Sequence, residues 1–263
     1  MLRAVAIGYI SVLGLLMFFE RNLLYPIPNA ATGDWNPPGI EFEDVYLNAA
    51  DGTKLHGWFL PCENPRASIV FFHGNGEDLS SCGPEMSRWR RSLNVCVLVM
   101  DFRGYGKSEG KPVESLLVND GVLSANWLAE RQGTTPDQII LWGRSIGGGV
   151  AAGVAEVIHP RAMFMECTFD SLANVAAEHI RWAPVRWLMT NQYQSAKQLA
   201  DYKGCFIQWH GDEDPVVSLA SGKRLFEAVG SDNKSFFLGE GYGHNEDSPH
   251  EFKAAIKSYI ETL

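Results

Sequence analysis

Residues 141–149 read LWGRSIGGG. An apolar strand end runs here into Gly143-Arg144-Ser145-Ile146-Gly147, and a stretch of small residues continues beyond it. Glycines on either side let a strand turn sharply into a helix and leave the serine exposed at the apex. A lone serine hydroxyl is a poor nucleophile, so chemistry there requires a base to take its proton and a carboxylate to orient that base. Both follow in the chain: Asp214 in WHGDEDPVV (209–217) and His244 in GYGHNE (241–246). Ser145, His244 and Asp214 are therefore the expected catalytic set.

The rivals for each role have poorer context. Of seven histidines, His244 alone sits in a glycine-rich loop after the last strand-like run, whereas His250 begins a helical pattern. Asp212 and Glu213 compete with Asp214, but Pro215 and the return to apolar Val216-Val217 favour Asp214 as the residue leaving the strand. Upstream, Phe71-Phe72-His73-Gly74-Asn75-Gly76 ends another apolar run, and its glycines allow the backbone to turn an amide towards the serine. The N–H groups of Asn75 and Ile146 are the expected oxyanion hole, with His73 bracing the loop. Asp101 and Arg103 in DFRGYGKS are read as structural, holding their loop by hydrogen bonds and an ion pair. Glu166 and Asp170 are candidate acids near the pocket.

Around these motifs the pattern is that of an α/β protein. Residues 40–48 and 54–60 alternate apolar and polar side chains across an Asp51-Gly52 turn, as in an antiparallel hairpin. Runs at 67–72, 95–100, 138–142, 162–165 and 205–209 are continuously apolar, as buried parallel strands are, and a last strand is expected at 234–238. Helical patterns at 78–93, 113–131, 146–158, 219–229 and 250–262 fill the gaps. The expectation is one mostly parallel eight-stranded sheet with helices on both faces. Residues 169–199 interrupt the rhythm and suit a small two-helix cap over the strand ends, where Trp182, Trp187 and Met189 are candidates to line a substrate pocket.

The net charge of −9, without a run of lysine or arginine, argues against nucleic acid as a partner. No metal motif or nucleotide-binding loop occurs, so neither metal nor organic cofactor is expected. Five cysteines form no CxxC pair; Cys96 and Cys167 suit buried small hydrophobes, and a Cys62–Cys82 disulfide is an option in an oxidising compartment. Residues 4–19 are uncharged and mostly apolar between Arg3 and Glu20-Arg21. As a helix they cover roughly 24 Å, short of a ~30 Å hydrocarbon core unless flanking residues help. No cleavage site directly follows, since Ala30 and Ala31 come well after the run with Pro28 before them, so a retained single-pass membrane anchor over 1–25 is favoured over a cleaved signal or a soluble amphipathic element. The remainder, 26–263, is the expected catalytic domain.

Taken together, FFHGNGED, VLVMDFRGYGKSEG, LWGRSIGGGVA, MECTFDSL, WHGDEDPVV and GYGHNE resemble the α/β-hydrolase superfamily in order and spacing. More narrowly they resemble its membrane-anchored branch, which includes acyl-protein thioesterases and serine-aminopeptidase-like domains. The resemblance runs from about residue 24 to the C-terminus, and the LLYPIP stretch at 23–28 also looks like that branch. It implies the same triad and oxyanion donors. Cys205, where a proline commonly precedes the seventh strand, and Val217-Ser218, where valine-proline is common, depart from the pattern without touching the chemistry. Because this superfamily hosts many activities, the substrate is not fixed by kinship. Hydrolysis of an acyl ester or thioester through an acyl-enzyme is the expectation. An aminopeptidase, which needs an acid such as Glu166 to hold the substrate ammonium, and a catalytically silent binding protein are the alternatives.

Overall fold

The computed structural model describes residues 1–28 and 31–263; Ala30, one of the two alanines weighed as a cleavage site, lies outside them. The chain opens with helices α1 (Leu2–Phe18) and α2 (Glu20–Leu24). Strands β1 (Glu43–Asn48) and β2 (Lys54–Leu60) form the expected hairpin, paired antiparallel with Val45 opposite Gly57. From there strands alternate with helices: β3 (Ser68–Phe72), α3 (Leu79–Leu93), β4 (Cys96–Met100), α4 (Glu114–Arg131), β5 (Ile140–Arg144), α5 (Ile146–Ile158) and β6 (Ala162–Glu166). An insertion carrying α6 (Leu172–His179), α7 (Val185–Leu188) and α8 (Ser195–Gln198) precedes β7 (Cys205–Gly211), α9 (Leu219–Ala228), β8 (Lys234–Gly239) and α10 (His250–Glu261).

All eight strands form one sheet in the order β1-β2-β4-β3-β5-β6-β7-β8, parallel throughout except for the two pairings of β2. Period-two alternation sends successive side chains of each buried strand to opposite faces. Val70, Phe72 and Leu141 pack with Leu117 of α4 and Val150 of α5, while Ile69, Phe71 and Trp142 pack with Met86 of α3 and Phe252 of α10. Helix α5 lies behind the elbow, as its composition predicts. A Cβ on Gly153 would come within 2.6 Å of the Val118 side chain, so glycine there lets α4 and α5 approach.

The chain turns one way after β3, towards β4, and the other way after β5, towards β6, although β3 and β5 are neighbours. The crevice between their carboxyl ends, where Phe72 pairs with Gly143, is the point at which open α/β sheets bind ligands. Boundaries differ from expectation where local geometry intervenes. Residues 138–139 do not join β5, because Pro136–Gln138 winds a 3-10 turn with proline at its first position. The insertion holds one two-turn helix and two single turns instead of two full helices.

The cysteines are all free. Cys82 is buried in α3, whereas the backbone N–H of Cys62 donates to the Cys96 sulfur, so the Cys62–Cys82 pairing does not form. At the N-terminus, where a spanning helix was expected, α1 stops at Phe18, and among the described residues no helix is long and apolar enough to cross a membrane. Helix α1 has no buried side chain, and the run ends at Glu20, which is 9% exposed against the insertion.

Candidate active site

The elbow stores backbone strain at one residue. Ser145 has φ +52°, a conformation that costs a non-glycine residue of order 1–3 kcal/mol and persists only where its surroundings over-determine it. Three bonds supply that constraint. The Ser145 N–H donates to the Glu166 carbonyl at 2.8 Å, and its own carbonyl accepts from Gly148 N–H at 2.9 Å and Thr168 Oγ1 at 2.8 Å. A Cβ on Gly147 would lie 2.2 Å from the Phe72 carbonyl oxygen, and one on Gly143 would lie 2.6 Å from the Gly147 carbonyl oxygen. Glycine at both places is a steric requirement of the turn.

Loops after β5, β7 and β8 bring the expected trio together. Ser145 Oγ is 2.9 Å from His244 Nε2, and His244 Nδ1 is 2.6 Å from Asp214 Oδ2. Carboxylates only accept, so Nδ1 carries the proton and Nε2 is free to take one from the serine hydroxyl. Burial would raise the Asp214 carboxyl, but hydrogen bonds from His210, His244 and the Val217 backbone hold it well below the usual range. Its other oxygen accepts Val216 N–H at 2.8 Å and Val217 N–H at 2.9 Å. Asp212 instead accepts from Gly241 N–H, and His250 begins α10. Sequence reasoning missed His210, whose Nε2 lies 3.4 Å from Asp214 Oδ2; its spacing of four residues along a strand and turn gave no periodic signal.

The loop after β3 is fixed on both flanks. Phe102 N–H donates to His73 Nε2 at 3.1 Å, which leaves Nδ1–H to donate to the Gly74 carbonyl at 2.8 Å, so His73 does brace the turn. Gly74 N–H donates to Glu77 at 2.7 Å, and Arg144 of the elbow pairs with Glu77 at 3.2 Å and Glu85 at 2.8 Å. The Asn75 side chain is held at both ends: its Nδ2 donates to the Leu24 carbonyl at 2.7 Å, and its Oδ1 accepts from Tyr105 at 3.2 Å. Among the described residues, no hydrogen bond engages the backbone N–H of Asn75 or of Ile146. The hold of Leu24 on Asn75 was not foreseen, since 51 residues separate them.

Other candidates take structural places. Glu166 lies under the elbow, where it accepts the indole N–H of Trp142 and of Trp209 and approaches Arg144 at 3.5 Å. Burial raises its carboxyl above the ordinary value despite Arg144. Asp170 accepts from Ser221, Arg224 and Asn174. Arg103 finds its ion pairs in Asp120 and Asp51, both at 2.5 Å, while Asp101 accepts Leu79 N–H. Cys167, Asp214 and His244 each bring one possible metal ligand atom within 4.8 Å of the others. That trio is a poor ligand set, because burial pushes the Cys167 thiol far up and ligation needs the thiolate.

The residues expected at the substrate pocket do not gather beside the triad. A cavity with His244, Asn75, Cys167 and Trp209 in its wall is otherwise rich in acids, among them Glu77, Glu85 and Asp247. Trp182 is 55% and Trp187 87% exposed, and neither lines it. Trp182 stands in a turn with its ring against Tyr9 of α1, and Trp187 on the single turn of α7. Met189 lines a separate apolar cleft between α1, α2 and the insertion.

Comparison with known proteins places this geometry. The uncharacterized protein Rv2307c of Mycobacterium tuberculosis is 31% identical over 255 residues, covering 93% of this chain and 88% of that one. The chain belongs to the α/β-hydrolase family. The family model described as serine aminopeptidase, S33, matches residues 63–167 of the hydrolase, from just before β3 to just after β6. The α/β hydrolase domain-containing protein WAV2 of Arabidopsis thaliana is 28% identical, with 86% of the hydrolase and 81% of WAV2 covered. Among solved structures, the Pyrococcus furiosus esterase Pf2001 superposes with a TM-score of 0.72 at 20% identity, covering 90% and 96% of the two chains.

Proposed function

We propose that this α/β-hydrolase is a serine hydrolase that cleaves carboxylic esters or thioesters by way of an acyl-enzyme. The reading rests on the continuous bonding from Ser145 through His244 to Asp214, at 2.9 and 2.6 Å, beside two unengaged backbone N–H groups. His244 Nε2 takes the Ser145 proton as Oγ attacks the acyl carbonyl. Asn75 and Ile146 N–H then bind the oxyanion of the tetrahedral intermediate. His244 passes its proton to the leaving oxygen or sulfur; water, deprotonated by the same ring, hydrolyses the acyl-enzyme and restores Ser145. Asp214, held ionised by its donors, steadies the imidazolium in both halves.

Fluorophosphonate labelling tests this reading. The wild-type protein is expected to label and Ser145→Ala to lose both the label and roughly 10⁶-fold in kcat; labelling that persists in the variant puts the nucleophile elsewhere. The name of the family model supports an aminopeptidase as a second reading. Against it, Glu166 already accepts from Trp142, Trp209 and Arg144 and has little capacity left for a substrate ammonium. A panel of p-nitrophenyl esters against aminoacyl nitroanilides separates the two, and turnover of the anilides alone reverses this order.

Residues 1–25 are proposed to hold the protein at a lipid surface. The support is α1, seventeen residues without a buried side chain, with Val5, Ile7, Ile10 and Phe18 each more than 60% exposed. Flotation with phosphatidylcholine vesicles, lost on deleting residues 2–18, is the expected result.

A further inference from the structure

Helix α1 and its continuation α2 do not project freely from the domain. Residues 13, 16, 20 and 24, spaced three, four and four, form the least exposed stripe of the segment and face the insertion between β6 and β7. Glu20 locks that contact. Its carboxylate accepts Thr190 N–H, Thr190 Oγ1, Asn191 N–H and Asn191 Nδ2 at 2.7–3.1 Å. The buried pair Tyr25 and Tyr193, joined at 2.8 Å, closes the junction below.

Above the lock an apolar cleft remains open. Leu16, Met17 and Leu24 form one wall, and Ile180, Leu188 and Met189 form the other. The single charged side chain in its lining is Glu20, whose oxygens are already occupied by the Thr190 and Asn191 donors. Leu24, part of the cleft lining, holds the Asn75 side chain through its carbonyl at 2.7 Å, and Asn75 in turn lines the acid-rich cavity at His244. Asn75 thus stands between two cavities of opposite character. The cavity at His244 is lined largely by charged side chains, Arg88, Arg144, Glu246 and Asp247 among them, whose water a hydrocarbon would have to displace, whereas the cleft offers a hydrocarbon almost entirely apolar contacts. Met17, half exposed on α1, belongs to the same lining, next to the apolar side chains that α1 exposes.

We infer that the cleft between α1–α2 and the insertion is the acyl-chain subsite, which takes the hydrocarbon tail of a long-chain ester or thioester and leaves the acid-rich cavity to the leaving group. This rests on the serine-hydrolase reading above and names the substrate class for that site. The N-terminal segment is then one wall of the substrate site as well as a contact to lipid, and a chain leaving a bilayer enters along α1 without crossing water. Each methylene taken up from water favours binding roughly fourfold, so kcat/KM is expected to climb with acyl length until the cleft is full.

The full chain is assayed with p-nitrophenyl esters from acetyl to palmitoyl, and the Ser145→Ala protein is titrated with dansyl-undecanoic acid, which needs no turnover. Filling the cleft with Ala176→Phe is expected to lower the dodecanoyl-to-acetyl ratio of kcat/KM at least tenfold and to weaken the dansyl probe at least as much. Met17→Trp, on the exposed helix, makes the same test should the first variant fold poorly. A ratio that moves less than twofold in both variants overturns the assignment, as does a Ser145→Ala protein that does not bind the probe. Probe binding that the filling variants abolish, in a wild-type protein that turns over no ester, supports the subsite and refutes the hydrolase reading on its own.

Discussion

The elbow around Ser145 and the roof made by α1, α2 and the insertion are built on opposite terms. At the elbow Gly143 and Gly147 meet backbone alone, and both are fixed by contacts of 2.6 and 2.2 Å that a Cβ would make. The roof is held by the Glu20 carboxylate with its donors and by the Tyr25–Tyr193 pair, beside an open apolar cleft, with no side chain of α1 buried. The proposed chemistry sits on the rigid side, and the proposed recognition of the substrate tail on the side that can yield. Such a division is expected where reacting atoms must be placed within fractions of an ångström but chain length is to be accommodated.

Substitutions can sharpen or break that contrast. Gly147→Ala drives a methyl against the Phe72 carbonyl, so a loss of roughly 3 kcal/mol or more in urea unfolding is expected; a wild-type midpoint shows that the elbow is softer than described. Asp214→Asn keeps the packing but favours the wrong imidazole tautomer, so kcat is expected to fall on the order of 10⁴-fold with little change in Tm. Asn75→Ala keeps the backbone N–H and removes the tie to Leu24 and Tyr105, for which a ~10- to 100-fold loss of kcat is expected. If KM changes and kcat does not, the tie orients substrate and not the oxyanion donor.

The roof should respond to acid. Burial raises the Glu20 carboxyl, but its Asn191 and Thr190 donors outweigh this and bring it below the ordinary 4.5. A depressed folded value means that the stabilisation is complete above about 4.5 and is lost as pH falls through the folded value. Proteolysis within residues 1–24 is therefore expected to accelerate only below pH 4.5, and Glu20→Gln should remove most of that pH dependence. Smallest of all, Trp187→Ala at an 87% exposed position should shift stability by no more than about 0.5 kcal/mol and leave ester kinetics within twofold.

The same contrast explains what could be read in the sequence. Apolar runs without alternation marked the parallel strands to within about two residues, and the flanking glycines marked the elbow, because both signals are local and steric. Ser145, Asp214 and His244 could be picked as neighbours because each stands at a strand end of one sheet. The roof was harder to read. Trp182 and Trp187 look like pocket residues by composition, yet a turn and a four-residue helix are too short for a pattern to fix which way a ring turns. Glu20 reads as the charged border of an apolar run, and only its meeting with Thr190 and Asn191, some 170 residues away, makes it a clamp. Arg103 was expected to hold its own loop, but a long side chain reached Asp120 on α4 and Asp51 in the hairpin turn instead.

The +52° φ of Ser145 also limits what could replace it in evolution. A β-branched residue is a genuine outlier in that region of backbone space, so threonine is excluded as a substitute alcohol despite carrying the same hydroxyl group. Cysteine and aspartate, both unbranched at the β-carbon, are the other natural nucleophiles of similar size that the bend admits. Lineages that abandon the serine while keeping the turn are thus steered towards thiol or carboxylate chemistry or towards inactivity.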